Sequence, residues 1–150
     1  MRVVIQRVTR SEVYIKETLH DNIARGLVVL LGIESEDTTE DIEWLVHKIL
    51  QLRIFGDAES KMNLSVQEIS GEILVVSQFT LHASTKKGNR PSFIKAAKPE
   101  TAIPLYQAFL KNIRSTSDLR VAEGIFGADM QLALTNDGPV TIIIDTKQKE

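Results

Sequence analysis

Residues 27–33, Leu27-Val28-Val29-Leu30-Leu31-Gly32-Ile33, form a run without a single polar side chain. A strand in which every side chain is apolar is buried on both faces, whereas a half-buried strand alternates apolar and polar residues. Residues 72–77, Glu72-Ile73-Leu74-Val75-Val76-Ser77, repeat this pattern over their four inner residues. The two runs therefore predict two strands that are buried on both faces.

Four further strands are predicted by shorter patterns. β-Branched residues dominate residues 2–8, and apolar and polar residues alternate over residues 12–16. Residues 130–134 and 140–144 have the same strand-forming composition. Between them, Asn136-Asp137-Gly138-Pro139 has the composition of a turn, so we expect a hairpin there.

Two amphipathic helices accompany these strands. Thr38 or Thr39 is expected to cap the first helix, because acidic residues and then a helical apolar stripe follow. The second helix is predicted from about Thr101 to Arg114, with Pro104 in its first turn because a proline breaks a helix interior. Two helices cover only part of six or more strands. We therefore expect a β-rich α/β domain, with a curved or barrel-like mixed sheet and the two helices packed outside it.

Length and composition indicate one domain over residues 1–150. The chain carries a net charge of −2, with 43% hydrophobic and 25% charged residues, which is ordinary globular usage. Only residues 147–150 are expected to form a solvated tail. No apolar run approaches the roughly 20 residues of a membrane-spanning helix, and the N-terminus lacks signal-peptide features, so we expect a cytoplasmic protein. The mild acidity argues against coating nucleic acid by bulk charge.

Several common catalytic centres are absent from the sequence. Without cysteine there is no thiolate nucleophile, and no histidine pair has metal-site spacing, so we expect neither a metal nor a cofactor. His20 and His47 are expected at the surface. His82 follows Ser77 and Thr80 closely enough to act as a base for a hydroxyl nucleophile. A serine esterase built in this way lacks the usual Gly-x-Ser-x-Gly motif.

Three segments place polar or charged groups where a ligand could bind. Ser77-Gln78-Phe79-Thr80 closes a buried strand with hydroxyl and amide groups. Residues 86–93 contain Lys86, Lys87, Arg90 and Phe93. Positive charge beside an aromatic ring suits phosphate or single-stranded nucleic acid, although a solvated loop has the same composition. The third segment is Asn136-Asp137-Gly138-Pro139-Val140-Thr141, in which a cis X–Pro bond would cost only about 0.5–1 kcal/mol.

Taken together and in this order, these segments resemble the D-aminoacyl-tRNA deacylase family. The resemblance extends over nearly the whole chain. It also rests on Ile5-Gln6-Arg7-Val8, Gly26-Leu27-Val28-Val29-Leu30-Leu31-Gly32, Arg53-Ile54-Phe55, Asp57, Lys61-Met62-Asn63-Leu64 and Arg90-Pro91-Ser92-Phe93. His82 and Pro104 depart from the family pattern, but both lie outside these signatures.

The resemblance implies an enzyme that hydrolyses the ester between a D-amino acid and the 3′ end of tRNA. Glycine mischarged on tRNA would also be accepted, and L-aminoacyl-tRNA would be rejected. The resemblance further implies a cytoplasmic homodimer without a metal, whose partner is tRNA rather than DNA or a membrane. Ser77, Gln78, Phe79 and Thr80 would line the pocket of one subunit. Gly138 and Pro139, joined by a cis peptide, would enter from the other subunit to screen chirality, with Arg7 holding them in place.

For the chemistry, the resemblance points to the tRNA's terminal 2′-OH and to backbone N–H groups near Phe79 and Thr80 as an oxyanion hole. Thr80 is not expected to act as a nucleophile, because no base is evident beside it. Phe79 is expected to position the terminal adenosine. Lys86, Lys87 and Arg90 are expected to contact acceptor-stem phosphates. A non-catalytic RNA-binding β-domain is the alternative, with the same basic loop and Gly138-Pro139 as a plain turn.

Overall fold

Eight strands and two helices make up the part of the chain that the structure, a computed structural model, describes, namely residues 1–149. In chain order the elements are β1 (Arg2–Ile15), β2 (Thr18–Ile23), β3 (Gly26–Gly32), α1 (Thr39–Gln51), β4 (Phe55–Gly56), β5 (Met62–Leu64), β6 (Glu72–Ser77), a 3₁₀ turn (Phe79–His82), α2 (Pro99–Thr116), β7 (Val121–Glu123) and β8 (Met130–Asp145).

One six-stranded sheet carries most of the chain. Its order is β2-β1-β3-β6-β7, and β8 pairs with β1 from the first residue of β1 to its last. The pairs made by β1 are antiparallel, whereas β3 with β6 and β6 with β7 are parallel. The sheet is nearly closed and barrel-like, and the two helices pack outside it. The predicted fold class is therefore confirmed.

The two apolar runs become the central strands β3 and β6, buried on both faces as predicted. Alternate residues of each strand enter different clusters of apolar side chains. Leu27 and Val29 belong to the larger cluster, which includes the buried faces of both helices. Val28 and Leu74 belong to a smaller cluster against which residues of β8 pack. Because both faces are covered by other parts of the chain, neither strand needs a polar face.

Thr38, one of the two caps predicted from the sequence, is the N-cap of the first helix, and it forms a capping box with Asp41. The Asp41 carboxylate accepts hydrogen bonds from the backbone N–H of Thr38 at 2.8 Å and from the Thr38 hydroxyl at 3.2 Å. The Asp41 carboxylate also accepts a hydrogen bond from Lys147 at 2.8 Å. Burial would raise the pKa of Asp41, but hydrogen bonds from Lys147, Thr146 and Thr38 outweigh burial and hold that pKa well below its usual range. Residues 147–149 are exposed, as the predicted solvated tail requires, but Lys147 is not frayed because its ammonium pairs with Asp41; Glu150 lies outside the described residues.

The second helix starts earlier than predicted, at Pro99. Proline suits the first helical position, where no intrahelical partner for its nitrogen exists. Pro104 consequently lies inside the helix and not in its first turn. A proline there leaves the carbonyl of Glu100 without a helical donor. Both residues lie on the exposed side of the helix, where water can hydrogen-bond that carbonyl.

The predicted hairpin at residues 136–139 is wrong, because β8 is one continuous strand. Likewise, the two strands predicted over residues 2–8 and 12–16 are one strand, β1. In the antiparallel ladder between β1 and β8, Gln6 pairs with Thr141 and Val8 pairs with Asn136. Four residues of β8, 137–140, therefore face a single residue of β1, which makes a wide bulge. Because the residues before and after the bulge both pair with β1, β8 continues in one direction and forms no hairpin.

None of the helices within residues 1–149 combines the length and the apolar character needed to cross a membrane.

Replacing Gly26 by alanine tests the close approach of β3 and β6. A Cβ at this position would overlap the backbone carbonyl of Glu72, which cannot move without breaking the parallel ladder. We expect Gly26→Ala to lower the free energy of unfolding by about 2–4 kcal/mol in urea denaturation. The control is Gly56→Ala, because its Cβ would meet only ordinary contacts at 3.7 and 3.9 Å. Equal unfolding midpoints for both variants would contradict the packing argument.

Candidate active site

The segment Ser77-Gln78-Phe79-Thr80 turns the chain sharply away from the sheet. Strand β6 ends at Ser77, and the backbone N–H of Gln78 still donates to the carbonyl of Leu31 at 2.7 Å. The 3₁₀ turn follows at once and is closed by the N–H of Leu81, which donates to Gln78 at 3.2 Å. The first N–H groups of such a turn have no partner within it, so those of Phe79 and Thr80 are free to donate to a ligand.

A mostly apolar cavity of about 310 Å³ lies at this end of the sheet. It brings together Ser77, Gln78 and Phe79, whereas Thr80 is not among its lining residues. The other lining residues are Leu31, Ile33, Val76, Ala97, Ala102, Phe126, Gly127, Ala128, Asp129, Met130 and Leu132. A concave apolar site with a few polar groups at its wall is typical of small-molecule binding.

An aromatic pair stands beside this cavity. The rings of Phe79 and Phe93 pack edge to face, with centroids 5.1 Å apart. Phe79 nevertheless remains 54% exposed, which leaves much of its ring available to another planar group. Two backbone hydrogen bonds of 2.8 and 2.9 Å between Ser84 and Ser92 close the loop that leads to Phe93. We call residues 84–92 the basic loop.

The basic loop presents its charges to solvent next to the aromatic pair. Lys86, Lys87 and Arg90 are all exposed, and none of them takes part in an ion pair within residues 1–149. Because Phe93 packs on Phe79, the end of the loop is fixed beside the cavity. Lys86, Lys87 and Arg90 themselves are not among the residues that line the cavity, and Lys86 lines a separate depression with Glu34 and Lys95.

The hydroxyl groups near the cavity have no base beside them in residues 1–149. Thr80 accepts a hydrogen bond from the side chain of Gln78. His82 is only 3% exposed, and its Nε2 has no hydrogen-bond partner in the described chain. It contacts neither Ser77 nor Thr80 through a hydrogen bond, so the geometry does not support a serine esterase. His20, which the sequence places in a polar turn but which lies in β2, and His47 are both exposed, as predicted.

Gly138 and Pro139 lie on the β8 bulge, and Arg7 holds the bulge against β1. The Arg7 guanidinium donates to the carbonyl of Asp137 at 3.1 Å and to that of Ile54 at 2.6 Å. It also forms an ion pair of 3.2 Å with the carboxylate of Asp137. The Gly138–Pro139 peptide bond is cis, and Gly138 has a φ of +119°. Both residues remain exposed at the surface.

Within one chain, the two predicted parts of the site do not meet. Gly138 and Pro139 line a separate depression together with Arg25, Gly56 and Asp57, and this depression has no lining residue in common with the cavity at Ser77.

Residues 126–130 complete the cavity, although their sequence predicts no functional role for them. They form the connection from β7 into β8, and the ring of Phe126 packs on Tyr106 with centroids 5.8 Å apart. Gly127 is one sequence signal of a turn in this connection, and its φ of +76° shows that the backbone there uses the conformation that favours glycine. No group of three or more His, Asp or Glu side chains in residues 1–149 is arranged to hold a metal ion.

Comparison with known proteins gives consistent matches over the chain. The family model described as D-Tyr-tRNA(Tyr) deacylase matches residues 4–145. The chain is 57% identical to a D-aminoacyl-tRNA deacylase of Flavobacterium johnsoniae, with 100% of both chains covered. It is 58% identical to a protein of the same name from Akkermansia muciniphila, again with 100% of both covered.

Two solved structures have the same fold. One, titled c-Myc DNA Unwinding Element Binding Protein, has a TM-score of 0.92 and 45% identity, and the match covers 97% of this chain and 98% of that one. The other, titled as a structural analysis of a probable eukaryotic D-amino acid tRNA deacylase, has a TM-score of 0.83 and 21% identity, over 95% and 97% of the two chains. At that identity the second likeness concerns the fold alone.

The contact between Gly138 and Arg7 generates a stability prediction. A Cβ on Gly138 would lie 2.8 Å from Nη2 of Arg7 and 3.0 Å from Val140, on a backbone with positive φ. We expect Gly138→Ala to destabilise the protein by about 1–3 kcal/mol in urea denaturation. Gly88→Ala is the control, because Gly88 has a φ of +88° but no atom within 4 Å of its Cβ position. If the two variants lose the same stability, the Arg7 contact is not what restricts Gly138.

Proposed function

Because the chain belongs to the D-Tyr-tRNA(Tyr) deacylase family, we propose that it hydrolyses the ester bond between a D-amino acid and the 3′ end of tRNA. The observation that carries this proposal is the similarity over the full length to relatives named D-aminoacyl-tRNA deacylase, at 57% and 58% identity. The reaction releases free tRNA and the D-amino acid. Its cellular role would be to remove D-amino acids from tRNA in the cytoplasm before they reach the ribosome.

The cavity at Ser77, Gln78 and Phe79 is the proposed site of this reaction. Its apolar wall suits an aminoacyl group, and the exposed face of Phe79 suits the base of the terminal adenosine. Stacking of a base on an aromatic side chain contributes about 1–3 kcal/mol to binding. The basic loop lies next along the chain, where phosphates of the acceptor stem would follow the terminal adenosine.

For catalysis, we propose that backbone groups rather than side chains of the protein stabilise the transition state. The unpaired N–H groups of Phe79 and Thr80 would bind the oxyanion that forms when the ester is attacked. The tRNA's own 2′-OH, adjacent to the ester, would assist the attacking water. Thr80 has no base beside it in the described chain, so its hydroxyl has no means of activation as a nucleophile.

Discrimination between enantiomers would come from Gly138 and Pro139 of a second subunit. D- and L-aminoacyl groups differ only in where the substituents on Cα point, so a clash built against one of them separates them best. The bulge suits this role because it is exposed and Arg7 anchors it. Since the bulge and the cavity do not meet within one chain, we propose a homodimer that brings them together. Glycine has no Cβ, so such a clash would not exclude it.

The proposal predicts selective hydrolysis. Matched D- and L-aminoacyl-tRNA, and glycyl-tRNA, are incubated with the purified protein, and loss of the ester is followed over time. We expect rapid loss of the D-aminoacyl and glycyl esters and slow, background loss of the L-aminoacyl ester. EDTA should not change the rates, because the proposed chemistry uses no metal.

Two outcomes of this assay separate the alternatives. Binding of tRNA without hydrolysis would favour the non-catalytic RNA-binding domain, and equal hydrolysis of D and L esters would refute the chirality screen.

Thr80→Ala tests whether a side chain takes part in the chemistry, because the backbone N–H groups survive this substitution and activity should be retained. An inactive Thr80→Ala protein, or an acyl group trapped on Thr80, would show that its side chain performs the chemistry.

The basic loop generates a prediction about salt dependence. Replacing Lys86, Lys87 and Arg90 together by alanine should weaken tRNA binding and flatten its dependence on salt concentration. Each lost phosphate contact should reduce the slope of log affinity against log salt by about 0.7–0.9. Lys111→Ala, which removes an exposed charge from α2, is the control.

An unchanged salt slope in the triple variant would show that the basic loop is only a solvated surface. Unlabelled duplex DNA is added as a competitor, because one similar structure is titled for DNA binding. We expect it not to displace tRNA at equal nucleotide concentration.

A further inference from the structure

A polar depression of about 600 Å³ lies at the far end of the 3₁₀ turn, and it shares no lining residue with the cavity at Ser77. Its wall includes Glu34, His82, Lys86 and Lys95. We call it the His82 depression. Four basic and three acidic side chains line it, so it differs from the mostly apolar cavity and suits a different part of a ligand.

Part of this charge belongs to the fold. The Arg2 guanidinium pairs with the carboxylate of Asp145 at 2.8 Å and donates to the carbonyl of Leu81 at 2.8 Å. The ammonium of Lys147 pairs with Asp41, also at 2.8 Å. These contacts join the 3₁₀ turn and the end of β8 to the rest of the chain, so Arg2 and Lys147 are already occupied.

The remaining charged groups of the depression are unpaired. Lys86, Lys95, Glu34 and Glu36 all line it, and none of them takes part in an ion pair within residues 1–149. The ammonium groups suit an anion, and the carboxylates suit hydrogen-bond donors. The wall is therefore complementary to a ligand that carries both a negative charge and N–H or O–H groups.

His82 adds a buried polar group to this wall. Its side chain is almost completely buried and packs on Gly32, where a Cβ would lie 3.1 Å from the imidazole Cδ2. Its Nε2 has no hydrogen-bond partner among the described residues. Buried polar atoms are normally paired, so one without a partner needs an explanation. A ligand that hydrogen-bonds the imidazole from the depression would supply it.

The depression lies where a nucleic-acid strand would continue from the proposed site. Phe79 and His82 are the first and last residues of one 3₁₀ turn, which rises about 2 Å per residue and thus separates them by roughly 6 Å along its axis. A terminal adenosine that stacks on Phe79 would therefore have the preceding nucleotide within reach of the depression. That nucleotide has a phosphate for the lysines and a base edge for the carboxylates.

Transfer RNA ends in the sequence CCA, so the nucleotide before the terminal adenosine is a cytidine. Cytosine has an exocyclic amino group, which glutamate and aspartate accept when they read this base. Sequence-specific contacts to RNA are made mostly with unpaired ends of this kind. Resting on the proposed function, we propose that the His82 depression binds this cytidine, with its phosphate on Lys86 and Lys95 and its amino group on Glu34.

The backbone holds Glu34 and Lys95 side by side. Glu34 forms an antiparallel bridge with Ala96, the neighbour of Lys95. The N–H of Ala97 donates to the carbonyl of Ile33 at 2.9 Å, and the N–H of Glu34 donates to the Asp37 carboxylate at 2.8 Å. An acceptor and a cation are thus fixed on two adjacent strands of backbone. Glu36 is more exposed than Glu34, so Glu34 is the better placed of the two carboxylates.

The test compares two RNA hairpins without an amino acid, one ending in CCA and one ending in CUA. Uracil presents a carbonyl oxygen where cytosine presents its amino group, so it would face the carboxylate without a donor. We expect wild type to bind the CCA hairpin about tenfold more tightly in fluorescence anisotropy. Glu34→Gln should bind both hairpins alike, because its amide offers an acceptor for cytosine and a donor for uracil. Glu43→Gln, on the exposed side of α1, is the control and should keep the preference.

Two further variants test the phosphate and the imidazole. Lys95→Ala should weaken binding of both hairpins and reduce the slope of log affinity against log salt by about 0.7, whereas the exposed neighbour Lys98 can be replaced by alanine without this effect. His82→Phe should lower the affinity for both hairpins about fivefold without lowering the midpoint of urea unfolding, because the nitrogen that it removes has no partner in the described chain.

Equal binding of the two hairpins by wild type, or a preference that survives in Glu34→Gln, would overturn the inference. The hairpins carry no ester, so this result is independent of hydrolysis. Wild type that hydrolyses D-aminoacyl-tRNA but does not distinguish the hairpins would uphold the proposed function and refute the cytidine site. Wild type that binds neither hairpin and hydrolyses no D-aminoacyl-tRNA would refute both.

Discussion

Strand β1 hydrogen-bonds to β8 over its whole length, and the rest of the sheet is placed relative to this pair. The first half of β1 also pairs with β3, and its second half pairs with β2, so the sheet must curve around it. Four residues of β8 face only Arg7 in the ladder, and the surplus backbone has to leave the plane of the sheet. The arginine's donors then satisfy the carbonyls of Asp137 and Ile54, so the bulge is held in one position.

The sequence predicts those parts of the fold whose cause is local. Strands β3 and β6 follow from unbroken apolar runs, and the start of α1 follows from a capping box that spans only Thr38 to Asp41. Residues 136–139 have the composition of a turn, and a turn and a bulge need the same residues. Which of the two forms depends on β1, which lies about 130 residues away in the chain, and composition carries no information about that pairing. The short strands β2, β4, β5 and β7 are likewise set by their partners and were not predicted.

The candidate site likewise contains residues that the sequence predicts and residues that it does not. Ser77, Gln78 and Phe79 could be predicted because polar groups at the end of a buried strand are unusual in any sequence. Phe126 and Asp129 could not, because they reach the cavity only through the path of the connection from β7 to β8. The relation between the cavity and Gly138 was inferred from family resemblance alone. Within one chain, the cavity and Gly138 line different surfaces, so the two do not come together there.

The chemistry of the proposed substrate gives a reason for the cavity and the bulge to lie on separate surfaces of the chain. A D- and an L-aminoacyl-tRNA present the same adenosine, phosphates, ammonium and ester, so every attractive contact made with these groups binds both enantiomers equally. Phe79 and the basic loop would both be of this kind, and strengthening them would raise affinity without improving selectivity. Selectivity must come from a group that excludes one arrangement at Cα and contributes little attraction. In the mechanism that we propose, the bulge on a separate surface, which Arg7 holds and which shares no lining residue with the cavity, would be this group.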